Sequence, residues 1–342
     1  MNRCYIGCHA SISKGILNAI KYVEDIDGNC LQIFLGSNQS TSLNRKTKIL
    51  EEDIIEIKKY VKEKNIKLFI HTVYLLNFCN FPPDNKQIKY ALDNLIFDLV
   101  LTDKLGGLGC VLHIGYQKDL EESIAYKNMM ENVKYAIDQT KDLKVKILLE
   151  TPAGKGSQIC TSLDEFVKLW NMFPKESLSR LGTCIDTAHI FSSGRCISNV
   201  SEIKTYLSEF DKKIGIKYLD LFHINDSKAV CNSRKDLHEG IGEGYIYKKE
   251  LGGNLEALKE IWNFSTKNKI PMVLETHSAG YYNMEKDNGM YSQEIKLFRD
   301  WDNKLNPKFK LIPGKYILKS KKTLKKKKKI KNNKLIIEIF YK

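Results

Sequence analysis

Short runs rich in Val, Ile and Leu return eight times along the 342-residue chain, each followed by a longer stretch with helical spacing of apolar residues. The runs lie at 4–7, 31–35, 67–70, 110–112, 146–149, 182–185, 218–222 and 272–274. Between them, Leu50, Ile54, Ile57 and Val61 recur at steps of four, three and four, which predicts an amphipathic helix over 50–65. Ser162 and Glu165 form a capping-box pattern ahead of Phe166, Leu169 and Trp170. Strand-then-helix repetition makes parallel sheets, because each crossover must pack back on the sheet it left. Eight such units predict an α/β fold of the closed (β/α)8 kind, a TIM barrel. An open doubly wound sheet shares the same periodicity. The barrel should occupy 1–305, and a Pro- and Gly-marked segment then leads into a lysine-rich extension over 306–342.

The residues at the ends of these runs narrow the chemistry. His71, His113 and Glu150 come directly after the third, fourth and fifth runs. Asp186 ends the sixth in "GTCID", with His189 three residues on; His223 comes after the seventh and Glu275 after the eighth. Burying an unpaired carboxylate at the end of a core strand costs several kcal/mol, so such groups are normally paired or bound to metal. In a barrel the C-terminal strand ends converge on one face, where active sites lie. Five of the seven histidines fall at or after strands three to seven, the last being His238 in "RKDLHEGIGEG". There Asp236 and His238 stand two apart, and an extended backbone would point both to one side. Nine ligands exceed the three or four protein ligands of a single zinc and fit a cluster of two or three metals. Imidazole and carboxylate without thiolate favour zinc, manganese or iron over magnesium. A bridging carboxylate could hold two metals at the ~3.5–4 Å suited to phosphoester hydrolysis.

Composition sets the compartment and the partners. The nine cysteines include no CxxC pair and read as reduced thiols of an intracellular protein. "MNRCYIGCHAS" passes at once into a strand-like run, leaving no room for a signal peptide, and no apolar stretch approaches the ~20 residues of a membrane span. Of the net charge of +14, ten units are lysines between Lys319 and Lys334, a run without an acid. Such a run suits a solvated tail, nuclear import or contact with nucleic acid. Cytoplasm and nucleus are both compatible with it. "GGLG" at 106–109 precedes a strand and reads as a turn, and "AGKGS" at 153–157 lacks phosphate-loop spacing.

"HTVYLLN", "LLETPAGKGS", "CIDTAHIFSSG", "FHINDSK", "DLHEGIGEG" and "VLET" resemble, in order, the motifs of the endonuclease IV family of apurinic/apyrimidinic (AP) endonucleases. "YIGCHASISKGILNAI" resembles that family's first strand and helix, so the likeness runs from about Tyr5 to Trp301. It implies a barrel holding three zinc ions that cleaves double-stranded DNA 5′ to an abasic site and trims blocked 3′ ends. By the same likeness, His71 and His113 bind the first zinc and share Glu150 with the second. Asp186, His223 and Glu275 complete the second, and His189, Asp236 and His238 hold the third. Glu150 and Glu275 are the expected catalytic carboxylates. Tyr74 and Leu75 match a loop that wedges open DNA, and His9 matches a position near the site. Where the family often inserts an arginine from its second loop, this chain has Ser40. Lys228, Arg234 and Lys235 flank the seventh-strand loop as candidate phosphate contacts. A monomer is expected. A divalent-metal sugar isomerase on a related barrel and a non-catalytic damage-binding protein are the rival readings.

Overall fold

The computed structural model describes residues 3–276 and 290–305. The chain opens with β1 (Ile6–His9), α1 (Ile16–Asp25), β2 (Cys30–Ile33), α2 (Glu51–Glu63), β3 (Lys67–His71) and α3 (Lys89–Leu105). It continues through β4 (Gly109–His113), α4 (Glu122–Gln139), β5 (Lys146–Glu150), α5 (Leu163–Met172) and β6 (Leu181–Asp186). Two helices come next, α6 (Thr187–Ser192) and α7 (Val200–Lys213), and then β7 (Leu219–Ile224). A small antiparallel hairpin, β8 (Asp226–Ser227) and β9 (His238–Glu239), precedes α8 (Leu255–Asn268), β10 (Met272–Leu274) and α9 (Met290–Leu305). Eight parallel strands close in the order β1-β10-β7-β6-β5-β4-β3-β2, the expected TIM barrel. Among the described residues no helix is long and apolar enough to cross a membrane.

Two hydrophobic layers hold the barrel. The larger lies between strands and helices, and it takes the inner faces of the helices, such as Ile54, Ile57 and Val61 of α2. Leu50, expected on that face, is the residue before the helix and is exposed, because the helix begins only at Glu51. The Ser162–Glu165 capping box is present at the start of α5. The smaller layer fills the barrel interior with one residue from each of seven strands: Cys30, Phe69, Val111, Leu148, Cys184, Leu221 and Val273. The eighth strand contributes Gly7, in register with Cys30 on one side and Val273 on the other.

Two expectations are corrected. The first strand runs 6–9 rather than 4–7, since Cys4 lies before the ladder and is tied to α9 through its carbonyl, which accepts from Arg299 Nη1 at 2.9 Å. The cysteines are not all reduced, because Cys196 and Cys231 form a disulfide. Spacing along the chain could not show this pair, for it forms only when the tip of the β8–β9 hairpin folds over the loop after α6. The other seven are buried and outside any disulfide.

Gly7 admits no side chain: a Cβ there would lie 1.5 Å from the Cys30 carbonyl oxygen, a backbone atom that cannot step aside. Gly7→Ala should therefore destabilise the barrel by about 3 kcal/mol, the upper end of the usual overpacking cost. Urea unfolding followed by circular dichroism would measure it, and an unchanged midpoint would refute the packing argument.

Candidate metal centre

Side chains alternate along a strand, so each residue of the inner layer, Gly7 included, has a counterpart two positions later, pointing the same way and one layer nearer the C-terminal rim. Those counterparts are His9, Gln32, His71, His113, Glu150, Asp186, His223 and Glu275. The barrel's own period thus gathers six of the nine expected ligands into one ring. All eight are buried except His113, which is partly exposed. The rest of the set arrives from the rim. His189 lies on α6, which starts just after Asp186, and the Asp186 side chain accepts from the His189 amide at 2.9 Å. Asp186 is therefore helix cap and site residue at once. His238 begins β9, with Asp236 just before it, and Asp236 Oδ1 lies 3.2 Å from both His189 Nε2 and His238 Nε2.

Glu150 is central. Its Oε2 faces His71 Nε2 at 3.4 Å and His113 Nε2 at 2.9 Å, while Oε1 lies 2.9 Å from His223 Nδ1 and 3.4 Å from His189 Nδ1. His223 Nδ1 also faces Glu275 Oε2 at 3.2 Å and Asp186 Oδ2 at 3.7 Å, so one nitrogen looks into three carboxylates. Four groups of donor atoms converge within 4.8 Å. Two of them are His71, His113 and Glu150, and Glu150, Asp186, His223 and Glu275. A third is Asp186, His189 and His238, and the last sets Cys184 beside Glu150 and His223.

The histidines are prepared as ligands. His71 Nδ1 lies 2.7 Å from the Thr72 carbonyl, His189 Nδ1 2.9 Å from that of Thr151, and His238 Nδ1 3.0 Å from that of Glu275. A carbonyl can only accept, so these three nitrogens carry the proton and leave Nε2 as the lone pair directed at the cluster. His223 is turned the other way, with Nε2 2.9 Å from Gln32 Oε1 and Nδ1 towards the carboxylates. His71 Nε2, His238 Nε2 and Glu150 Oε2 are buried without a well-aligned hydrogen bond. Inward lone pairs left unsatisfied in a dry site fit cations and little else.

The electrostatics agree. Burial works against charge on His223 and His238, yet the acids around them prevail: Glu275 and Glu150 for the first, Asp186 and Asp236 for the second. Both are lifted to about 9. Burial raises the Glu150 carboxyl, but His113 and His223 overcome it and hold it well below the usual range. His9 goes the other way, pushed by burial down to about 4. Without metal, protons on the imidazoles supply the positive charge that the carboxylates require.

Three supporting residues escaped sequence reasoning. Gln32 donates to Glu275 Oε1 at 2.6 Å and contacts His9 Nδ1 at 3.0 Å. Asn225 donates to Asp186 Oδ2 at 2.6 Å and accepts the Glu275 amide at 3.0 Å. The Thr151 hydroxyl accepts the Asp186 amide at 3.0 Å. Gln32 could have been found by stepping two residues from Cys30; Asn225 and Thr151 carry no such signal. Tyr74 stands over the rim, its ring 5.1–5.2 Å from those of Phe34, His71 and His113, and Leu75 beside it is exposed. Lys228 lies at the base of the hairpin tip, 3.8 Å from Glu239, and Arg234 and Lys235 are exposed at the tip. Ser40 lies on the loop between β2 and α2.

Residues 20–301 match the family described as xylose isomerase-like TIM barrel. A "putative endonuclease 4" of Acanthamoeba polyphaga mimivirus is 31% identical over 301 residues, 86% of this chain and 93% of that protein. "Apurinic-apyrimidinic endonuclease 1" of Saccharomyces cerevisiae is 31% identical over 299 residues, 86% of this chain and 75% of that protein. Among solved structures, endonuclease IV of Thermus thermophilus superimposes with a TM-score of 0.70 at 20% identity, covering 88% of this chain and 99% of that one. A D-tagatose 3-epimerase-like protein reaches 0.60 at 18% identity over 88% and 99%. Likeness of fold therefore spans nucleases and epimerases, and it is the sequence relatives that decide between them. With its barrel, its matched motifs and relatives of this identity over most of its length, the chain belongs to the endonuclease IV family of AP endonucleases.

Proposed function

We propose that this AP endonuclease holds three zinc ions and hydrolyses the DNA phosphodiester 5′ to an abasic site, leaving a 3′-hydroxyl and a 5′-deoxyribose phosphate, with trimming of blocked 3′ ends. The observation that carries the metal assignment is the common orientation of His71, His189, His223 and His238. Each has one ring nitrogen tied to an outer oxygen and the other aimed at the carboxylates. Bound zinc would supply an activated water and neutralise charge on the phosphate and the departing oxygen.

The chain's own part is positioning. Glu150 presents separate oxygens to two groups of imidazoles, the arrangement a bridging ligand needs. Gln32 holds Glu275 Oε1 and leaves Oε2 towards the centre of the cluster, where it can orient or deprotonate the attacking water. Tyr74 and Leu75 offer a ring and an exposed apolar tip at the rim, suited to parting stacked bases. Lys228, Arg234 and Lys235 would meet phosphates, fixing register without reading sequence. Ser40 is too short to reach into a duplex, so opening the lesion falls mainly to the Tyr74–Leu75 loop. Residues 1–305 form the catalytic unit, working as a monomer, and the lysine-rich segment of 306–342, outside the described residues, adds non-specific DNA contacts or an import signal. The hairpin carrying Asp236 and His238 favours this reading over a sugar isomerase, which needs one or two metals.

Glu150→Gln should cut cleavage of an abasic duplex by more than about 100-fold, beyond the 10–100-fold typical of outer partners of a metal. The fold should persist by circular dichroism; wild-type turnover with unchanged zinc would refute the bridging role. Metal uptake should also release protons. His223 and His238 sit near 9, so at pH 7 the metal-free imidazoles are protonated and a cation must displace those protons. Zinc affinity should rise with pH and level off above about 9. Calorimetric titration of chelator-stripped protein in two buffers of different ionisation enthalpy measures the release. Finally, truncation after Leu318 should weaken binding to damaged and intact duplex alike, flattening the log K against log salt slope by roughly 0.9 per lost phosphate contact. An unaltered slope would leave the tail a targeting or inert segment.

A further inference from the structure

The third ligand group differs from the other two in how it is held. Its histidines are fixed by core packing or by a carbonyl, whereas the Asp236 side chain is 35% exposed and sits on the hairpin tip. Each strand of that hairpin has only two residues, paired as Asp226 with Glu239 and Ser227 with His238. Isolated hairpins are marginal in water even when longer. The base is anchored, because buried Asp226 accepts the amides of Gly242, Gly244 and Ile246. The tip has no such anchor of its own. Asn232 and Arg234 take φ of 62° and 54°; asparagine tolerates that region, but for arginine it costs about 1–2 kcal/mol, so tertiary contacts must impose the shape there.

The hydrogen bonds to the tip's backbone lead to one place, the C-terminal end of α6. The Asn232 amide donates to the Phe191 carbonyl at 3.1 Å and the Arg234 amide to that of Ser192 at 2.9 Å. Ser192 Oγ donates to the Lys235 carbonyl at 2.8 Å. The Cys196–Cys231 disulfide closes the same junction covalently. It therefore joins the segment carrying His189 to the segment carrying Asp236 and His238. We propose that this disulfide is a positioning element for the third metal: closed, it holds Asp236 against His189; opened, it frees the tip and weakens that metal alone. The inference rests on the three-metal reading. Cys196 is exposed, so a dithiol reductant can reach it. The reductant's thiolate attacks one sulfur and expels the other as a thiolate, which takes a proton. Its second thiol then resolves the mixed disulfide, two electrons having passed to the protein and the dithiol leaving as its own disulfide.

The test compares the full chain with Cys196→Ser and Cys196→Ser/Cys231→Ser in buffered free zinc, using metal analysis and tryptic digestion. Both variants should keep two zincs and bind the third about 10–100-fold more weakly, the range for losing a group that orients a ligand. In chelator-stripped protein, cleavage after Arg234 and Lys235 should be several-fold faster than in the oxidised wild type, a readout that needs no metal. His189→Ala, with the disulfide intact, separates the two ideas. If the wild type itself holds fewer than three zincs, the three-metal reading fails; if His189→Ala loses one while the cysteine variants bind the third as tightly as wild type, the clamp fails. Should the variants not fold, the wild-type protein treated with a phosphine reductant is digested instead, and an unchanged tryptic rate overturns the proposal.

Discussion

A dry barrel floor beneath a ring of carboxylates is the constraint on which the rest of this structure depends. Phe69, Val111, Leu148, Leu221 and Val273 exclude water directly below Glu150, Asp186 and Glu275. Three anions in such a setting repel one another and lack hydration, so they must be met by positive charge. The protein provides for this by orientation more than by attraction. Its imidazoles are turned so that their lone pairs, or the protons that replace them, lie among the acids. Gln32 and Asn225 fix the carboxylates from behind, which keeps the cluster from collapsing into private ion pairs.

Much of this is legible in the residues because one period controls both layers. Stepping by two from the interior apolar positions reaches the ligands, which is why strand ends alone point to six of them. The first two strands obey the same arithmetic, but an opening run placed two residues early hides the parallel between Gly7–His9 and Cys30–Gln32. Leu50 shows the opposite limit: apolar spacing continues past the point at which the backbone stops being helical. The Cys196–Cys231 pair is illegible for a topological reason, since 35 residues and a whole helix separate its members.

The shared barrel explains why structural likeness extends to an epimerase-like protein as well as to nucleases. In this chain the short α6 and the β8–β9 hairpin bring in His189, Asp236 and His238 from outside the ring of strand-end residues. A third of the ligand set thus comes from loops above the barrel, the part of a fold where function is most readily varied.

Asp186 ties these levels together in a way that bears on how the protein ages and adapts. One oxygen caps α6 while the other faces the cluster, so a change there is felt both by a helix and by the chemistry. Glu150 is stabilising in its charged form too, since His113 and His223 hold it well below its usual range, and neutralising it would leave those imidazoles without their counter-charge. Losing one rim acid alone therefore costs stability as well as chemistry, whereas losing an acid together with its imidazole can be nearly neutral. A descendant that no longer needed its reaction would be expected to shed this cluster in acid–imidazole pairs, not one residue at a time, while the barrel beneath persists.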